Sequence, residues 1–178
     1  MIIHSTVIVK KSLHAVWQFL ADPRNSPQWD RSINAVVISP DNPHPAPVIG
    51  VGTVVETVSP AGDHQTFRIT VYDYPNTIAF ALLDSPLFKS ATLRFMIDSV
   101  PAGTRIMHQL EVRLRLRALF LYPILALTHK KALATDLEYL RRALDEGYNR
   151  LVWARWETTV ARSCLQLISR HKSDIVTL

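Results

Sequence analysis

A single cysteine, Cys164, stands in the whole chain. No intrachain disulfide can form, and neither a CxxC pair nor the Cys/His spacing of a zinc site is present. A disulfide-stapled scaffold is excluded, and a lone thiol fits a reducing compartment. The opening residues Met1-Ile2-Ile3-His4 lack the basic region, apolar run and small-residue cleavage site of a secretory leader. Long apolar runs are missing too. The most apolar stretch, residues 118–127, is too short to span a bilayer and is bounded by Arg117 and Lys130-Lys131. These absences make a cytoplasmic protein the expectation.

The body of the chain also has little excess charge. The formal net charge is +5, but residues 147–178 carry Arg150, Arg155, Arg162, Arg170 and Lys172 against Glu157 and Asp174. Three of the five net charges therefore lie in the tail. A nucleic-acid-binding domain places a basic patch, interleaved with aromatics, on its main fold. Residues 1–146 show none, so no nucleic-acid partner is expected.

What is present is ordinary for a globular domain: 178 residues, 48% hydrophobic and 20% charged. A chain of this length suits one domain with room for an appendage. Residues 2–11 are rich in β-branched side chains and read as a first strand. Ser12 can cap a helix over 13–21, where Leu13, Val16, Trp17 and Leu20 recur at helical spacing. Asp22-Pro23 ends it. Residues 24–29 form a short helical turn, and 31–38 a second strand with Ile33 inside. Four prolines between positions 40 and 47 make an extended loop. Strands follow over 51–58, 65–72, 77–83, 90–98 and 104–116. The triplets Pro60-Ala61-Gly62 and Pro101-Ala102-Gly103 suit three-residue hairpins, so the sheet is an antiparallel meander. From residue 118 the period changes to helix, and the stripe Leu125, His129, Ala132, Leu133, Asp136, Leu137, Leu140, Leu144 runs to 146. Gly147 is placed to end it. A second stripe, Trp153, Trp156, Val160, Cys164, Leu167 and Ile168, predicts a basic amphipathic helix over 149–170. The expected domains are thus 1–146 and a helical extension, 147–178.

Several short motifs carry a likeness. Val16-Trp17-Gln18-Phe19-Leu20-Ala21-Asp22-Pro23 and Asn25-Ser26-Pro27-Gln28-Trp29-Asp30 form a helix end and turn. Gly50-Val51-Gly52-Thr53, Gly103-Thr104-Arg105-Ile106-Met107-His108 and the helix end over 137–145 complete the set. In this order they resemble the START-like superfamily, also called Bet v 1-like or SRPBCC, and within it the polyketide cyclase/dehydrase and lipid-transport group. The likeness covers residues 3–146. It implies an α+β helix-grip fold. A curved antiparallel sheet of six or seven strands closes on a long C-terminal helix, two short helices follow the first strand, and a cavity lies between sheet and helix. It does not by itself imply an activity.

Gly50-Val51-Gly52 lacks the third glycine and precedes a strand, so it is a strand-leading turn or bulge and not a dinucleotide fingerprint. Trp17 and Trp29 either seal the small helices on the sheet or form one wall of a pocket. His108 alternates with Ile106, Leu110, Val112 and Leu114, so it points inward. There it is either a buried histidine bonded to a neighbour or a polar anchor for a ligand carbonyl or hydroxyl, with acid/base work the lesser option. His129 and Asp136 lie about two turns apart and can face one cavity, or be satisfied locally. Ile33, Val55, Phe67, Ile69, Val71, Phe80, Leu82, Leu93, Phe95 and Ile97 are the inward strand positions. The candidate lining residues are Trp17, Trp29, Phe67, Ile69, Phe80, Phe95, His108, Leu110, His129, Leu133 and Asp136. No nucleophile–base unit is assembled by spacing, and no metal or cofactor is expected.

The functional expectation is binding or transport of a small hydrophobic molecule, lipid or polyketide-like. Apolar walls would give affinity, and His108, His129 and Asp136 orientation. One alternative is a polyketide cyclase or dehydratase. Another is a stress- or chaperone-associated interaction module without ligand. The basic amphipathic tail could dock on the sheet, pair with another chain or contact a membrane surface.

Overall fold

Residue alternation and turn chemistry produce a seven-stranded antiparallel sheet with strand order β1-β7-β6-β5-β4-β3-β2. The computed structural model of the chain describes residues 1–39, 48–116, 118 and 122–147, with only the backbone of 123–130. The strands are β1 (Ile2–Val9), β2 (Ala35–Ile38), β3 (Val54–Val58), β4 (His64–Asp73), β5 (Thr77–Leu82), β6 (Phe88–Val100) and β7 (Gly103–Leu114). Helix α1 (Leu13–Ala21) and a 3-10 turn (Pro23–Gln28) lie between β1 and β2, and the long helix α2 (Tyr122–Glu146) follows β7. The proline-rich loop 40–47 and the tail helix expected over 149–170 lie outside the described residues.

The helix ends follow from the sequence. Ser12 is extended and its hydroxyl accepts from the Ala15 N–H, which satisfies one orphan donor of α1. Asp22 then caps the 3-10 turn through the Arg24 N–H, with Pro23 at the first position, where a missing N–H costs nothing. Pro123 sits in the first turn of α2 for the same reason. Gly147 adopts φ +67° where α2 ends. Among the described side chains of α2, the buried stripe is Leu133, Leu137, Leu140, Ala143 and Leu144. Ala132, expected in that stripe, is exposed. The helix lies mainly along β1, and the Lys10 N–H donates to Asp145 Oδ1 at 2.8 Å.

One contiguous core joins Val9, Val16, Trp17, Leu20, Trp29, Ile78, Phe95, Ile97, Ile106, Leu137 and Leu140. It brings α1, the 3-10 turn, the inner sheet face and α2 together at one end of the sheet. Gly103 makes part of this closure possible. It has φ +132°, and a Cβ there would stand 2.1 Å from the Val9 carbonyl oxygen. Next to it the buried Thr104 hydroxyl donates to the Lys11 carbonyl at 2.7 Å.

Four expectations are corrected. Ile33 is not in a strand, because its N–H donates to the Asp30 carbonyl in a turn and β2 begins at Ala35. The β3 strand starts at Val54, since residues 50–53 form a turn closed by Thr53 N–H to Gly50 O. Pro101-Ala102 is a two-residue hairpin, with Gly103 already paired to Val100. Val71 does not face inward. A β-bulge between Ile69 and Val71 shifts the register, so Ile69 pairs with Phe80 but Tyr72 pairs with Ile78. One extra residue reverses the alternation, and Tyr72 takes the core-facing position beside Trp17.

Candidate functional site

The inner face of β7 carries a histidine where its neighbours are apolar. His108 pairs with Ser5 of β1 and with Phe95 of β6, and paired residues share a face. The side chain is 3% exposed. Its ring stacks on Phe95, centroids 4.3 Å apart and planes at 14°. Phe95 in turn meets Trp29 edge-on at 5.7 Å. Neither ring nitrogen of His108 has a hydrogen-bond partner among the described residues. The expectation of an inward histidine holds, but a bond to a neighbour is not found. Burial pushes the imidazole pKa down to about 4, so the ring is neutral at pH 7. A neutral imidazole has one donor and one acceptor nitrogen, which matches the demands of a hydroxyl or a carbonyl with a donor nearby.

The apolar residues around it are not uniformly buried. Ile69, Ile78, Ile97 and Ile106 are fully buried, whereas Phe67, Phe80, Leu82, Leu93 and Leu110 on the same face are only half-buried. The inner face is thus sealed towards α1 and partly open towards the ends of β5 and β7. Leu133 of α2 is buried. The His129 side chain lies outside the described residues.

Asp136, expected with His129 as a lining residue, is partly buried on α2. It lies within electrostatic reach of Asp30 and Arg31, just after the 3-10 turn. Burial, then the Asp30 charge, raises its carboxyl to about 8, and Arg31 opposes the shift. Asp30 is also raised by burial, although its Oδ1 accepts from the Ser32 N–H at 2.8 Å and hydroxyl at 2.6 Å. Arg31 donates to the Tyr139 hydroxyl at 3.0 Å and lies 5.4 Å from that ring's centre. A carboxyl raised by burial and by a neighbouring carboxylate holds a proton into neutral pH. Asp30 is not among the lining residues expected from the sequence, because only the packing of α2 near the 3-10 turn brings it within range of Asp136.

Trp17 is buried against Tyr72 and Tyr74, both edge-on, at 5.2 and 5.7 Å. With Gln18, Asp22, Ile49 and Tyr72 it lines a surface depression of about 340 Å³. A second depression of about 350 Å³ lies on α2 among Lys131, Thr135, Glu138, Tyr139 and Arg142. Among the described residues no group of three His, Cys, Asp or Glu side chains could hold a metal ion, and no helix is long and apolar enough to cross a membrane.

A curved antiparallel sheet gripping a C-terminal helix, with a buried imidazole on its inner face, defines a helix-grip domain of the START type. The model of the family described as polyketide cyclase/dehydrase and lipid transport matches residues 2–145, and the chain belongs to that family. No curated protein sequence matches it. Among solved structures, a START superfamily protein from Mycobacterium smegmatis is 22% identical, with a TM-score of 0.58 over 84% of this chain and 98% of that one. The Zhui aromatase/cyclase from Streptomyces sp. R1128 is 20% identical, with a TM-score of 0.59 over 84% and 99%. The Aha1 dimer from Colwellia psychrerythraea is 15% identical, with a TM-score of 0.60 over 84% and 99%. At these identities the likeness is one of fold.

Proposed function

We propose that the chain binds or carries a small hydrophobic molecule, lipid or polyketide-like, between the inner sheet face and α2, with His108 as its polar anchor. The observation that carries this reading is the orphaned imidazole. A buried polar side chain without a partner costs about 1–3 kcal/mol, so it is retained where something bonds it. Half-buried Phe67, Phe80, Leu93 and Leu110 supply apolar wall on the same face. The ligand would be apolar, uncharged near His108, and tipped with a hydroxyl or carbonyl. Organic extraction of the purified protein followed by mass spectrometry tests this. A stoichiometric apolar compound with such a group supports it. Protein that carries no such compound and fails to bind a panel of polar-tipped hydrophobes sinks it.

A second reading has its own observation. Asp136, protonated near neutral pH beside Asp30, could give a proton to a substrate, as a cyclase or dehydratase requires. Turnover of a polyketide-like substrate that Asp136→Asn abolishes would favour it. The third reading, a ligand-free interaction module in the cytoplasm, draws only on the Aha1 likeness. The tail, residues 147–178, is proposed as a separate amphipathic extension that pairs with a second copy or touches a membrane. Its removal would then change oligomer size or liposome binding.

A further inference from the structure

A second polar side chain stands opposite His108 on the neighbouring strand. Ser5 of β1 pairs directly with His108 of β7, and directly opposite residues share a face with their Cβ atoms about 5 Å apart. The positions that alternate with Ser5 on the inner face of β1 are Ile3, Val7 and Val9. Ile3 and Val9 are buried, and Val7 packs against the core. Ser5 itself is half-buried. Its hydroxyl makes no hydrogen bond among the described residues, and both ring nitrogens of His108 are likewise unbonded. The imidazole stacks on Phe95 of β6, on the side of β7 away from β1. A hydroxyl and an imidazole therefore stand next to each other on an apolar face without being joined. The hydroxyl can donate and accept, and the neutral ring offers one donor and one acceptor.

We propose that Ser5 is a specificity-determining residue of this site, and that Ser5 and His108 together select a ligand presenting two oxygens on one apolar body. A dihydroxy or hydroxy-carbonyl compound fits, in preference to one with a single polar tip. The inference rests on the ligand reading above and narrows it. A lone hydroxyl bonds one of the two side chains and leaves the other unanswered. Two oxygens set meta on a flat ring can reach both, since the side chains start about 5 Å apart. The second hydrogen bond is worth about fivefold in affinity.

Calorimetric titration of the full chain with 1-naphthol and 1,3-dihydroxynaphthalene tests it. Wild type should bind the dihydroxy compound about fivefold more tightly. Ser5→Ala should remove that preference and leave 1-naphthol binding unchanged. Ser5→Thr and Ser5→Val have nearly the same shape and differ by a hydroxyl against a methyl. The Thr variant should keep the preference and the Val variant should lack it. All three substitutions place a small side chain at a half-buried strand position, so each variant should retain the wild-type circular dichroism spectrum. A preference that persists in Ser5→Ala and Ser5→Val overturns the proposal, as does a wild type that shows none. Equal loss in the Thr and Val variants assigns Ser5 to shape and overturns it too. In each of these cases the ligand reading still stands or falls separately, on 1-naphthol binding and its weakening in His108→Leu. Wild type that binds neither compound overturns the role of Ser5, and organic extraction then decides the ligand reading on its own.

Discussion

His108 lies flat against Phe95, ring centres 4.3 Å apart, with neither imidazole nitrogen bonded among the described residues. Stacking satisfies the faces of the ring and leaves its edge unanswered. The ring packs as an aromatic side chain while keeping the polarity of an imidazole.

Acid should expose this conflict. The folded-state pKa of His108 is depressed from 6.5 to about 4. Above pH 6.5 the ring is neutral folded and unfolded, and no linkage arises. As pH falls from 6.5 towards 4, only the unfolded chain takes the proton, and the fold loses roughly 3 kcal/mol. His108→Leu removes that loss. Urea titrations at pH 7 and pH 4.5 should show the wild type losing stability and the variant holding it.

The same substitution should separate polar from apolar ligands. Loss of one buried hydrogen bond to a ligand costs about 1 kcal/mol, or roughly fivefold in affinity. His108→Leu should weaken 1-naphthol binding by that factor and leave naphthalene binding unchanged or tighter. Equal loss for both compounds would assign His108 to shape alone.

Asp136 should make the protein sensitive on the alkaline side. Its folded pKa is raised from 3.8 to about 8, so between those values the unfolded chain ionises and the folded one resists. Stability therefore falls as pH rises through this window. Asp136→Asn keeps the shape and removes the charge. It should be more stable than wild type by about 3 kcal/mol or more at pH 9 and about equal at pH 4, read from denaturation midpoints. Asp30→Asn should lower the pKa of Asp136, visible in carboxyl NMR titration.

Gly103→Ala should be severely destabilising, by about 3 kcal/mol or more. The added Cβ would meet the Val9 carbonyl at 2.1 Å on a backbone of φ +132°. Gly62→Ala, at φ +87° in a hairpin with nothing within 4 Å, should cost less. Thermal melts of the pair would distinguish close approach from backbone strain.

Much of the fold was legible in the order of residues. Ser12 caps α1, Asp22-Pro23 ends it, glycine and proline mark the turns, and the spacing of Leu133, Leu137, Leu140 and Leu144 sets the buried face of α2. These signals are local: each depends on a few neighbouring residues and the period of one element. Alternation along β7 likewise put His108 on the inner face before any pairing was known.

What the tertiary structure alone decided depends on partners distant in sequence. The bulge after Ile69 exchanged Val71 for Tyr72, because register is settled between β4 and β5 and not within either strand. Asp136 turned out to face Asp30, since only the packing of α2 near the 3-10 turn brings the two carboxyls within range. The lack of a bonding partner for His108 also belongs to the assembled sheet. A sequence specifies which polar group is buried, whereas whether anything reaches it depends on which side chains the fold brings near.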